Sequence, residues 1–259
     1  MGKLKGIIQF TGHFNGLSFY ELNGKIVVRK TGGFDGEKIK KDPNYVRVRE
    51  NSSEFGRCAR LGKYFRTSIF SYLKPLKLPY IHNDVVRLFH NLTKLDSLNE
   101  RGKRNMLLGL LTHDGNSLLK KFEFDTTTKF FSLFPFSCIV DLDTGKMNIN
   151  EFDTKQLKKP KGATHVAIQF IVAGLDFEFL TPSETFASTS QLFTLSSGVE
   201  PIIEFTASLP EKPILFGIVY VRFSQKINDQ YFPLTGGGIK IIDYKFSSSL
   251  VQVSSSRRK

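Results

Sequence analysis

Eight consecutive residues, Ile214-Leu-Phe-Gly-Ile-Val-Tyr-Val221, offer no polar side to solvent. Side chains alternate between the two faces of a strand, so this run is apolar on both faces and reads as the most central strand of a sheet. Period-two patterning surrounds it. Phe122–Phe124, Phe130–Phe134, Cys138–Leu142, Lys146–Ile149, Val166–Val172, Phe177–Leu180 and Gln191–Leu195 read as short strands. Ile202–Ala207, Gln230–Leu234 and Ile239–Phe246 continue the series. Turn residues separate them at Asp143-Thr-Gly145, Thr181-Pro182, Leu209-Pro210 and Thr235-Gly-Gly-Gly238. Short strands at spacings of about ten residues predict an antiparallel β-sandwich, jelly-roll-like in pattern.

The front of the chain reads differently. Ile7–Thr11, Leu17–Leu22 and Lys25–Lys30 are strand-like, and Asn23-Gly24 is a strong hairpin signal because type I′ turns need positive φ at both central positions. Asp42-Pro43 resembles a helix start. From Asn51 a stripe of Phe55, Cys58, Leu61 or Gly62, Phe65, Ile69 and Leu73 predicts one buried helical face, ended at Lys74-Pro75. Further helices are expected at Asn83–Leu95 and Asn99–Leu111, with Asp114-Gly-Asn116 as a turn. The fold class is therefore α+β: an N-terminal β-hairpin plus helices, followed by the sandwich. The expected divisions are a basic region at 1–115, a sandwich domain at 116–253 and a disordered basic tail at 254–259.

Charge follows the same division. The chain of 259 residues carries a formal net charge of +13. Residues 1–111 hold 21 Lys/Arg against 9 Asp/Glu, whereas residues 112–259 hold 16 against 15. A hydrophobic content of 40% with 25 Phe is ample for a packed core and excludes general disorder. Cys58 and Cys138 form no CxxC and read as buried thiols of a reducing compartment. No apolar run approaches the roughly 18 residues that span a bilayer. Met1-Gly2-Lys3-Leu4-Lys5-Gly6 has no signal-peptide core. The expected location is the cytoplasm or a virion, without membrane insertion.

Motifs for catalysis are missing. His13, His82, His90, His113 and His165 show no metal-binding spacing, and Asp141-Leu-Asp143-Thr-Gly145 has its glycine one place too early for a calcium loop. Neither a nucleophile elbow nor a Walker loop occurs. No catalytic residue, metal or cofactor is expected, and the chain reads as a non-enzyme.

The positive signal is cationic. Lys38, Lys40, Lys41, Arg47, Arg49, Arg57, Arg60, Lys63 and Arg66 fall within thirty residues, the last four at threes along one helix face. Phosphate backbones bind through charge density and counterion release, so these nine are the candidate nucleic-acid-binding residues. Tyr45, Tyr64 and Phe65 are interleaved with them, Phe65 on the apolar stripe.

Lys5-Gly6, Gly16-Leu-Ser-Phe-Tyr20, Asn23-Gly-Lys25, Val28-Arg-Lys30, Gly32-Gly33, Asp42-Pro43, Arg47-Val-Arg49-Glu-Asn51, Glu54-Phe-Gly-Arg57, Gly62-Lys63 and Arg66 form a block spread over residues 3–70. It resembles the opening of uncharacterised proteins common in Bacteroidota, with weaker similarity at Arg101-Gly-Lys-Arg104-Asn105 and Phe122-Glu-Phe124. The resemblance marks a family and implies no activity. Two functions fit the residues. One is a structural or assembly protein, a capsid-like or lattice-forming homo-oligomer whose basic front meets nucleic acid or an acidic partner. The other is a soluble nucleic-acid-binding or ligand-binding β-sandwich module.

Overall fold

The structure, a computed structural model, describes residues 2–3, 11–31, 36–177 and 180–247. All of the expected strand Ile7–Thr11 except Thr11 lies outside the described residues, as do the tail at 254–259 and the middle of the expected strand at Phe177–Leu180. The chain forms two compact units, Met1–Glu50 and Asn51–Lys259.

The first unit is an antiparallel sheet of β1 (Gly2–Lys3), β2 (Gly12–Phe14), β3 (Leu17–Leu22) and β4 (Lys25–Lys30), in the order β1-β4-β3-β2. Both tight turns are Asn-Gly with positive φ throughout: 44° and 74° at Asn15-Gly16, 53° and 73° at Asn23-Gly24. The second is the expected hairpin; the first adds β2. Helix α1 (Gly36–Lys41) follows, and Asp42 accepts the Asn44 N–H at 2.9 Å to cap a 3₁₀ turn opened by Pro43. That turn runs into α2 (Val46–Ser68), within which the two units divide.

In the second unit the helices are the rest of α2, α3 (Phe70–Leu73), α4 (Ile81–Lys94), α5 (Met106–Leu110), α6 (His113–Lys121) and α7 (Phe130–Leu133). The strands are β5 (Cys138–Asp141), β6 (Lys146–Asp153), β7 (His165–Leu175), β8 (Glu184–Ala187), β9 (Gln191–Thr194), β10 (Val199–Thr206), β11 (Ile214–Ile227) and β12 (Gln230–Phe246). A large antiparallel sheet runs β12-β11-β7-β8, with β9 also on β7; a small one runs β10-β6-β5.

β11 lies between β12 and β7, as its apolar run requires. Ile214, Phe216, Ile218 and Tyr220 join one core with Leu61, Phe65, Phe89 and Leu110 of the helices. Leu215, Val219, Val221 and Phe223 join another with Met147, Ile149, Ile203 and Phe205 of the small sheet. The order of layers is therefore helices, large sheet, small sheet. The fold class is α+β, with two antiparallel sheets face to face.

The compact units divide after Glu50, not at the expected boundary between 115 and 116. Leu110, Leu119 and Phe124 are buried in the same core as Phe216 and Ile218, so helices and large sheet form one body. Asp114-Gly-Asn116 is the first turn of α6 rather than a loop, because Thr112 accepts the Gly115 N–H at 3.0 Å as its N-cap. The helix expected from Asn99 starts only at Met106. Asp96 accepts the N–H groups of Leu98, Asn99 and Asn105 and pins the intervening chain as a loop.

Phe130–Phe134 is not a strand but helix α7 and its end, and Phe122–Phe124 is irregular. Strand β8 escaped the pattern altogether. Thr235–Gly238 lies inside β12, where the register slips opposite Arg222/Ser224 and a Cβ on Gly237 would stand 2.5 Å from the Val221 carbonyl oxygen. The turn joining β11 to β12 is Asn228-Asp229, both at positive φ (47° and 63°). Asp141 accepts from the Asp143 N–H and the Thr144 hydroxyl, closing the β5–β6 hairpin as a turn.

Candidate nucleic-acid interface

The nine cations picked out from sequence divide between the units: Lys38, Lys40, Lys41, Arg47 and Arg49 in the first; Arg57, Arg60, Lys63 and Arg66 in the second. Lys40 and Lys41 reach Glu37 at 3.0 and 3.5 Å, and Arg47 reaches Glu50 at 3.1 Å. These exposed local pairs still leave cationic surface available to a polyanion. Arg49 donates to the carbonyls of Ile39 and Asp42, tying α1 to α2. Arg57 donates to Ser53 Oγ (2.9 Å) and to the carbonyls of Gly102 (2.7 Å) and Arg104 (3.2 Å), clamping a loop. Arg60 is exposed.

Lys63 and Arg66 do something different: they line a concavity of about 610 Å³ at the C-terminal end of α2. Helix α2 stops at Ser68, and the buried Ile69 turns the chain into α3. Pro75 then holds Lys74–Leu76 in a 3₁₀ turn, and Lys77 takes left-handed backbone (φ 51°, ψ 45°) to reverse it toward α4. Glycine suits that conformation best; a lysine stands there. The walls thus carry Lys63, Arg66, Lys74 and Lys77, the ring of Phe70 and the apolar Leu73 and Ile81, with no carboxylate among them. No described carboxylate lies within ion-pair distance of these four cations. Arg66 is half-buried, its Nε is enclosed without a hydrogen-bond partner, and burial pushes its pKa below the usual arginine value. It remains a cation. An enclosed, unpaired guanidinium N–H is costly until an acceptor meets it.

A second concavity, about 710 Å³, lies toward the start of α2 and is lined by Ser52, Phe55, His90, Lys94, Arg101 and Arg104 with Asn51. Arg104, one of its lining residues, is held in an ion pair. Glu54 is fully buried; Arg104 donates to it through Nε (2.8 Å) and Nη2 (2.6 Å), and the Gly102 N–H adds a third bond at 2.7 Å. The Arg104 bonds, against the opposing effect of burial, hold the Glu54 carboxyl down at about 2. Arg101 donates to Asn51 Oδ1 at 2.6 Å. Burial, then the Lys94 charge, keeps His90 below its usual pKa. The His90 ring stands edge-on to Phe55, 6.2 Å between centroids at 83°.

Phe55 corrects the sequence reading. The inward stripe of α2 is Glu54, Cys58, Leu61 and Phe65, so Phe55 points out and is 55% exposed. Phe70, at the other concavity, is 58% exposed. Phe65 is buried core, as its place on the stripe implied. Lys74, Lys77, His90, Lys94, Arg101 and Arg104 were missed as site residues; the Arg101/Arg104 segment showed only as part of the family block.

Burial raises both thiols, Cys138 to about 12, which keeps them protonated and unreactive. Among the described residues no group of three His, Cys, Asp or Glu is arranged to hold a metal ion, and no helix is long and apolar enough to cross a membrane. No protein-family model, curated protein or solved structure matches the chain.

Proposed function

We propose that the chain is a non-enzymatic nucleic-acid-binding protein that holds the phosphate backbone in the groove formed by Lys63, Arg66, Lys74 and Lys77. One observation carries this reading: four cations converge on one concavity with no carboxylate among the described residues to neutralise them. Phosphate oxygens supply the negative charge the groove lacks, and the net charge of +13 accelerates encounter with a polyanion. The exposed cations of the first unit, Lys38, Lys40, Lys41 and Arg47, add diffuse attraction. Arg49 and Arg57 are engaged in holding the fold.

The test is charge reversal. A variant carrying Lys63→Glu, Arg66→Glu, Lys74→Glu and Lys77→Glu is expected to bind a fluorescent oligonucleotide about a hundredfold more weakly than wild type at low salt. Reversal of Lys40, Lys41 and Arg47 is expected to cost only a few-fold, because those side chains already sit beside Glu37 and Glu50. Equal losses from the two sets would refute the groove as the contact. Self-assembly is the second reading, favoured by Ile139 and Ile202, both exposed on the outer face of the three-stranded sheet. Light scattering on the same samples separates assembly from binding by a monomer.

A further inference from the structure

The two cationic concavities are built alike and share a helix. From Phe55 to Arg66 is eleven residues, about 16 Å along α2 and within about 20° of the same azimuth. Both residues therefore lie on one line of the helix, three turns apart. Between them α4 crosses: a Cβ on Gly62 would touch Val86 Cγ2 at 3.2 Å. His90 and Lys94, beyond that crossing, line one concavity; Ile81, before it, lines the other. Val86 covers Gly62 on that line, but Gly56 and Lys63 are exposed and Ala59 half-buried beside it, so an open flank of α2 joins the two sites. Each site sets an exposed phenylalanine among cations, Phe55 with Lys94 and Arg101, Phe70 with Lys63, Arg66, Lys74 and Lys77.

Resting on the proposed nucleic-acid reading, we infer that the substrate is single-stranded and that one strand spans both sites. Its backbone follows the cations along the Gly56–Ala59–Lys63 flank of α2, with one base stacked on Phe55 and another on Phe70. The observation that selects a single strand is the pairing of each cation cluster with an aromatic ring. In a duplex the base faces are covered by their neighbours; only an unpaired strand can lay a base on a ring while its phosphates meet lysine and arginine. Phosphates recur about every 3.4 Å along a strand in B-form, and farther apart in an extended one, so 16 Å takes about three to five nucleotides.

Fluorescence polarisation with labelled oligo-dT of three and twelve nucleotides and a twelve-base-pair duplex, on the full chain, tests this. Wild type is expected to bind the twelve-mer at least tenfold more tightly than the three-mer, and more tightly than the duplex. Phe55→Ala and Phe70→Ala are each expected to weaken the twelve-mer about tenfold while leaving heparin binding unchanged. Both rings are more than half exposed, so these variants retain the fold. Ala59→Glu, which places a negative charge on that flank, is expected to remove most of the length dependence. Twelve-mer binding unaltered in both phenylalanine variants, or a preference for the duplex, would overturn the single-strand inference. The phosphate-groove reading would survive either result if charge reversal of Lys63 and Arg66 still abolished binding, and would fall with it otherwise.

Discussion

Gly109→Ala is expected to destabilise the protein by about 3 kcal/mol or more, or to prevent the helical layer from forming. A Cβ at this position would stand 1.8 Å from the carbonyl oxygen of Leu92 and 2.7 Å from its carbonyl carbon. Both atoms are backbone, so relief requires α5 to move away from α4. That motion opens a core in which Leu92, Leu110 and Leu119 have no solvent exposure. Gly115 repeats the device one helix later, its Cβ position 2.0 Å from the Gly109 carbonyl oxygen. The sign makes the prediction sharp. Glycine to alanine within a helix ordinarily gains up to about 1 kcal/mol. Gly56, exposed in α2 with no atom within 4 Å of its would-be Cβ, supplies the control. Urea unfolding is expected to show Gly56→Ala at or above wild-type stability and Gly109→Ala far below it. Equal shifts would mean that α4 and α5 are not in contact at Leu92.

Arg104→Ala is the second large effect, at about 3 to 5 kcal/mol, because it strands the fully buried Glu54 carboxylate without its charged partner. The same pair fixes the acid response. The Glu54 carboxyl lies at about 2 in the folded protein, against an ordinary 4.5, so between these values the unfolded chain binds more protons. Its contribution is complete above about pH 4.5 and is lost as pH falls toward 2, a change of about 3 kcal/mol. Asp96 acts with the same sign: burial would raise its pKa, but bonds from Asn99, Asn105 and Leu98 outweigh that and lower it. Glu54→Gln keeps the shape and removes the titration. Unfolding measured from pH 5 down to 3 is expected to fall steeply in wild type and clearly less in Glu54→Gln. Parallel curves would show that Glu54 is not the group being protonated.

The same buried glutamate explains where the sequence misleads. A reading by hydrophobic period places Phe55 inward and never buries a Glu. Here Arg104, fifty residues on, neutralises Glu54, which takes the first inward place of the stripe and leaves Phe55 outside, while Cys58, Leu61 and Phe65 stay inward. Local signals were legible wherever their cause was local. Asn23-Gly24 makes its turn through two positive φ values, Asp42 caps through its own carboxylate, and Ile214–Val221 is interior because it has no polar side. Phe130–Phe134 carries the residue types of a strand but becomes helix α7, packed by Phe130, Leu133 and Phe134 against the small sheet's core. At the candidate site Lys63 and Arg66 were visible from their spacing on one helix. Lys74, Lys77 and Lys94 were not, since a left-handed residue and a helix crossing bring them to the concavities.

Salt titration of oligonucleotide binding is the most direct measurement of the groove. Four phosphates neutralised by Lys63, Arg66, Lys74 and Lys77 give a slope of log affinity against log salt of about −3 on a single strand. Replacing the four by glutamine is expected to remove that share, leaving the smaller slope due to Lys94, Arg101 and the first unit's cations. A wild-type affinity that does not change between 50 and 200 mM salt, or a slope left unchanged by the loss of all four side chains, would contradict a phosphate backbone in this groove.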